Sequence, residues 1–196
     1  GLIGDTTAIS GFLLTPLFVG IALTAEDIIL LIFGAKWADA VGLLQVLACT
    51  AALGNLALYA TTALVAVNRT YLTLKAEVLT TLLALALVYV LGPVYGGMAA
   101  AIALLIRMVA ITPLQVIGLN TAIGYGWRTF FESAYRSVIA TLVMAAVVSW
   151  VSSHSGLVGY LHLIANIAAG GLTYALAYSV LHPRWPHEFK LVFTTR

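Results

Sequence analysis

The sequence predicts an all-α membrane protein, a polytopic bundle of about six transmembrane helices. Hydrophobic residues make up 62% of the 196 and charged residues only 8%, against about a quarter charged in a soluble domain. Sixteen charges, nine basic and seven acidic, cannot cover a water-facing surface. The apolar residues fall into runs of the length that crosses about 30 Å of hydrocarbon, near 20 residues each. Disorder is excluded by the same richness in Leu, Val and Ile. The net charge of +2 comes without a basic cluster, so no nucleic-acid partner is expected.

Six runs can be marked along the chain: 12–33, 41–67, 76–91, 97–119, 136–151 and 157–181. The breaks are chemical. The segment 34–39 (GAKWAD) closes the first and Asn68-Arg69-Thr70 the second. Residues 92–97, Gly-Pro-Val-Tyr-Gly-Gly, predict a tight hairpin. Residues 120–135 carry Gly124, Gly126 and several polar groups and read as a loop. Ser152 to Gly156 separates the last two runs, and Pro183 and Pro186 end the final helix because proline cannot continue it. Residues 1–181 are thus expected to form one six-helix lobe, with 182–196 a short cytoplasmic tail. The opening GLIGDTTAIS has no basic n-region before a short apolar core, so it is not a signal peptide and reads as the interior of a longer chain.

Charge predicts orientation. Six spans put Arg69, Lys75, Arg128, Arg136, Arg184, Lys190 and Arg196 on one side and only Lys36 on the other. The positive-inside rule then makes both ends of the chain cytoplasmic. Trp37, Trp127, Trp150 and Trp185 all fall at or just beyond span ends, where an amphipathic indole sits best. Tyr71, Tyr95 and Tyr125 do the same.

Polar groups inside the spans are the candidate site. Arg107 lies near the middle of the fourth run, where a charge costs roughly 2.5–3.5 kcal/mol on insertion scales. Ala100, Ala103 and Ala110 surround it at helical spacing, so this face can lie close to another helix. The guanidinium reads as a contact for an anionic substrate, as one half of a structural ion pair, or as a snorkelling side chain. Asn55, Tyr59 and Thr62 form one stripe on the second run, and His162, Asn166, Gly170 and Thr173 another on the sixth. Such stripes are packing seams or the lining of a hydrophilic passage. Glu26 and Asp27 are adjacent carboxylates in the first run. They read as a site for a coupling proton or sodium ion, or as residues at the outer interface near Lys36. Pro16 and Gly20 make that run the one expected to kink.

His162 has no second histidine or carboxylate at ligand spacing on its own face, so no metal site is expected. Cys49, the single cysteine, reads as a small apolar filler. No Ser/His/Asp set, GxSxG, phosphate-binding loop or HExxH is visible, so neither an enzyme nor a cofactor is expected.

From Thr15 to Ala48 the chain runs TPLFVGIALTAEDIILLIFGAKWADAVGLLQVLA. This string resembles the oligosaccharide flippases of the multidrug/oligosaccharidyl-lipid/polysaccharide exporter superfamily. There a proline-bearing helix ends in Phe-Gly, then Lys-Trp and Ala, as at Phe33-Gly34, Lys36-Trp37 and Ala40. The segment LVAVNRTYLTLK (64–75) is similar to a family turn that often reads Ala-Gly-Arg, with Asn68 here in place of the glycine. YRSVIATLVMAAVV (135–148) resembles the penultimate-helix region. The resemblance implies the C-terminal lobe of a two-lobed transporter whose N-terminal lobe lies outside this chain. It implies a flippase that moves a lipid-linked oligosaccharide, on an undecaprenyl pyrophosphate carrier, across the bacterial inner membrane by alternating access. Arg107 would then meet the pyrophosphate, with Asn55 and Tyr59 as further substrate contacts and Glu26 and Asp27 as coupling-ion residues. A drug or cation exporter of the same superfamily and a membrane-integral enzyme of polysaccharide assembly are the alternatives.

Overall fold

The computed structural model describes residues 14–124 and 127–181, and seven helices account for nearly all of these. They are α1 (Leu14–Leu23), α2 (Ala25–Ile28, continuing as a π-turn over Ile29–Phe33), α3 (Ala40–Ala66), α4 (Thr70–Tyr95), α5 (Gly97–Ile123), α6 (Trp127–His154) and α7 (Tyr160–Leu181). No strand occurs among the described residues. Helices α3 to α7 are each long and apolar enough to cross a membrane, and α1 with α2 makes a sixth if the broken pair is one span. The protein is therefore all-α and multi-pass.

The expected kink in the first run is a break. Helices α1 and α2 meet at 72°, not at Pro16 or Gly20 but at Thr24, whose φ of −103° and ψ of 12° leave the helical region. Its hydroxyl donates to the Gly20 carbonyl at 2.9 Å, satisfying an acceptor near the break. A one-turn 3₁₀ helix over Ala35–Trp37 follows the π-turn, entered through Gly34 at φ 87° and ψ 168°, a conformation reserved for glycine.

Helices α4, α5 and α6 run longer than the apolar runs they contain. In hydrocarbon every backbone group must be paired internally, so a helix extends until a residue can end it. Residues 92–95, expected in a hairpin, remain helical through Pro93, and the turn contracts to Gly96 (φ 54°, ψ −131°). Pro93 removes one backbone bond and crowds the preceding turn, and the helix ends two residues later at Tyr95. Gly96→Val is expected to destabilise the α4–α5 hairpin by roughly 1–3 kcal/mol, the usual cost of a side chain in such a backbone, measurable as a lower melting temperature in detergent. The expected loop over 120–135 also shrinks. Helix α5 reaches Ile123 and is closed by Gly124 in the left-handed region, its N–H on the Asn120 carbonyl at 2.9 Å. Helix α6 then begins at Trp127.

Asn68 closes α3. It is left-handed at φ 57°. Its N–H reaches the Val65 carbonyl at 3.0 Å and that of Arg69 the Leu64 carbonyl at 2.9 Å, the paired bonds of a Schellman helix end. At the span ends basic side chains lie on aromatic rings: Lys36 over Trp37 at 6.0 Å, Lys75 over Tyr71 at 5.4 Å and Arg136 over Tyr135 at 5.6 Å. Such amphipathic pairs suit a headgroup layer.

The chain divides into two compact units, residues 1–41 with 134–196, and 42–133. The second is knit by Ala60, Leu64, Val116 and Leu119, and by Ala57, Ala76 and Ile111. In the first, Ala140, Met144, Val148 and Tyr174 join α6 to α7. Buried positions are mostly small, while Leu82, Leu85 and Val90 of α4 and Leu172, Leu176 and Val180 of α7 stand exposed. That inversion suits a chain solvated by lipid, where small residues bring helices together and large ones face acyl chains. Cys49 is also exposed, on α3, and so does not fill an interior gap.

Candidate functional site

Unit 42–133 contains the charge at mid-span. Arg107 on α5 is not a lone guanidinium: its Nη2 donates to Glu77 Oε2 on α4. The small residues around it allow this approach. Ala103 is buried one turn back, and Ala76, next to Glu77, packs with Ile111. The pair is incompletely enclosed, with side-chain exposures of 17% for Arg107 and 39% for Glu77. Arg107 Nε is buried without a hydrogen-bond partner. In this conformation Nε is sealed from a ligand, and an oxyanion would meet the guanidinium only at the part of the side chain that stays exposed.

Of the two residues expected beside Arg107, Asn55 is buried in α3. It lies at the depth of Arg107, because a Cβ on the preceding Gly54 would stand 3.4 Å from Met108 Sδ. The side chain of Tyr59 lies outside the described residues. Thr62 returns its hydroxyl to the Leu58 carbonyl of its own helix at 2.7 Å, a bond internal to α3.

Unit 1–41 with 134–196 holds the second constellation. Glu26 and Asp27 do not converge. Consecutive residues point about 100° apart on a helix, and Glu26 is exposed while Asp27 turns inward. Asp27 Oδ2 lies 2.8 Å from His162 Nδ1 on α7. His162 Nε2 lies 3.2 Å from Ser152 Oγ on α6 and 3.3 Å from Asn166 Nδ2. The carboxylate fixes the tautomer, since an imidazole donating through Nδ1 presents Nε2 as an acceptor. Tyr160 adds a second tie, its hydroxyl donating to the Leu31 carbonyl at 3.3 Å.

The carboxylate–imidazole–hydroxyl order of Asp27, His162 and Ser152 corrects the expectation that no Ser/His/Asp set exists. The three lie on different helices, invisible to spacing along one. As a nucleophile Ser152 is poorly placed. It sits in the last turn of α6, where the unpaired backbone groups are carbonyls, which repel a developing oxyanion. On its own helix face His162 has no histidine or carboxylate beside it; Asp27 reaches it from α2, and no group of three His, Cys, Asp or Glu side chains converges among the described residues.

Behind His162 lies a cavity of about 340 Å³. It is walled by Pro16, Gly20 and Ile28 of the broken first span, Val148 of α6, and Ile167 and Gly170 of α7, with Asn166 on the same wall. The stripe His162–Asn166–Gly170 is thus one face of α7 turned to the cluster and the cavity. A Cβ on Gly170 would stand 3.1 Å from Val148 Cγ2, so a larger residue there would press on α6. Compared with family models, curated proteins and solved structures, the chain matches none.

Proposed function

We propose that this chain is the C-terminal part of a flippase that moves a lipid-linked oligosaccharide, on an undecaprenyl pyrophosphate carrier, across the bacterial inner membrane, with both ends of the chain cytoplasmic. The multi-pass fold accords with it, as does the resemblance of 15–48 around Phe33-Gly34 and Lys36-Trp37. The observation that carries the reading is Arg107, a guanidinium held within an apolar span by one carboxylate and still partly exposed beside it. A pyrophosphate headgroup cannot cross hydrocarbon unaided, and a guanidinium fits phosphate oxygens in a fork. Glu77 holds the cation in place until a more highly charged anion competes for it. Alternating access relative to an N-terminal lobe would carry the bound headgroup from one side to the other.

A cation or drug exporter would place a carboxylate on the wall of its cavity. The apolar cavity of the first unit is walled by Asn166 and not by Asp27, which puts that reading second.

The test uses the full-length protein in a strain whose surface polysaccharide depends on it. Arg107→Lys keeps the charge and loses the fork, and is expected to lower surface polysaccharide about tenfold at equal membrane abundance. Arg107→Ala is expected to abolish it after normalising for abundance. Unchanged polysaccharide in both variants removes Arg107 from the mechanism.

A further inference from the structure

Three polar side chains line the cavity between the broken first span, α6 and α7, and each spends its polar atoms elsewhere. The Thr24 hydroxyl donates to the Gly20 carbonyl at 2.9 Å. The Tyr174 hydroxyl lies 3.2 Å from Ser137 Oγ. Asn166 is 2% exposed; its amide nitrogen is 3.3 Å from His162 Nε2, and its Oδ1 has no surface to offer. The rest of the wall is hydrocarbon, thioether and glycine, with Pro16, Leu17, Ile28, Met144 and Val148 on it. An occupant finds no hydrogen bond here and must need none.

Size and access narrow the occupant further. At about 340 Å³ the space lies in the range of small-molecule sites. Water does not suit it, because a buried water needs two to four polar partners and apolar cavities of this kind stay dry. Nor does α1 fill it: Gly20 is on the wall, and a Cβ built there meets nothing within 4 Å. Walls that face a gap forgo dispersion contacts that a hydrocarbon ligand restores. Leu17 and Ile167, both more than half exposed, belong to the same lining. A chain can therefore enter sideways from the bilayer. Hydrocarbon meets every one of these conditions, and phospholipid acyl chains supply it at the highest concentration in a membrane. Occupancy follows concentration.

We propose that this cavity is a binding site for a hydrocarbon chain, taken sideways from the bilayer as one acyl chain of a phospholipid whose headgroup stays at the interface. The space holds roughly ten water-sized volumes, and a methylene group is of similar size. The bare backbone at Gly20 keeps it open. The site belongs wholly to unit 1–41 with 134–196, and it does not depend on Arg107 or on what the protein transports.

The test rests on residues that ordinary boundary lipid does not reach. Met144 and Val148 are on the cavity wall yet only 4% and 3% exposed, whereas Leu82 and Leu85 of α4 lie open to the surroundings. The full-length protein is placed in phosphatidylcholine nanodiscs with a small fraction of phosphatidylcholine carrying a diazirine near the methyl end of one chain. After illumination, adducts are mapped by peptide mass spectrometry. The parent is expected to be labelled at Met144 or Val148 as well as on α4. Gly20→Leu, which fills the space from α1, is expected to lower labelling of the two wall residues at least about tenfold and to leave α4 labelled as before. Gly20→Ala adds one methyl and is expected to lower it about threefold, which decides the matter where leucine disturbs the fold. Labelling of α4 without Met144 or Val148 overturns the proposal, as does wall labelling that survives both substitutions. Loss of the parent's wall labelling on addition of a few mole percent of a polyprenol, with α4 labelling intact, overturns the assignment to phospholipid.

Discussion

Replacing Glu77 with leucine is expected to lower the stability of the folded protein in the membrane by up to about 2.5–3.5 kcal/mol, the insertion cost of an unpaired charge near mid-span. The double replacement Glu77→Leu with Arg107→Leu is expected to recover most of it. The reason lies in the pairing. Arg107 and Glu77 join α5 to α4 across thirty residues of sequence, and either charge alone would have to draw in water or snorkel. Removing one partner of a buried pair costs more than removing both. The figure is an upper bound because Glu77 is 39% exposed and solvent or headgroups relieve part of the cost. Membrane abundance and thermal unfolding of the two variants decide the matter. Equal instability of the single and double replacements would mean that the pair offsets nothing. The double variant should also export no polysaccharide at normal abundance, which separates the structural use of the guanidinium from its proposed use on substrate.

Asp27→Ala is expected to release the bent half of the first span from α7. The bond from His162 is charge-assisted while Asp27 is ionised and is worth about 1.5–3 kcal/mol. The Tyr160 hydroxyl on Leu31 is the weaker of the two ties. Amide hydrogen exchange over Ala25–Phe33 should accelerate about ten- to a hundredfold, while exchange in α4 and α5, which belong to the other unit, stays as it was. Asp27→Asn keeps an acceptor for Nδ1–H without the charge and should accelerate exchange by less than Asp27→Ala does. Unaltered protection in Asp27→Ala would show that the bend is held by the chain's own geometry and not by the imidazole.

The spans were legible because hydrocarbon is an unforgiving solvent: a run of about twenty apolar residues has few alternatives to a membrane helix. Their ends were less so. Proline and glycine near 92–97 and the polar stretch after Asn120 signal turns in water, yet lipid rewards every further backbone bond. The helices therefore continue to Gly96 and Gly124. The stripe of His162, Asn166 and Gly170 was readable as one face, since three- and four-residue spacing is local information. What that face meets was not. Glu77 and Arg107 are separated by thirty positions and Asp27 and His162 by 135, and each pair spans two helices. A signal for the first existed nonetheless. An arginine inside one apolar run and a glutamate inside its hairpin neighbour are charges that need each other. Ser152 offered no such signal, because a serine in a helix end ordinarily satisfies itself on its own backbone.

The broken first span has a consequence for the lipid around it. Turned by 72° from α1, the nine residues of Ala25–Phe33 advance only about 4 Å along the α1 axis and run about 13 Å across it. Acyl chains packed along α1 therefore meet a helix lying across their path, with Leu30, Ile32 and Phe33 exposed to them.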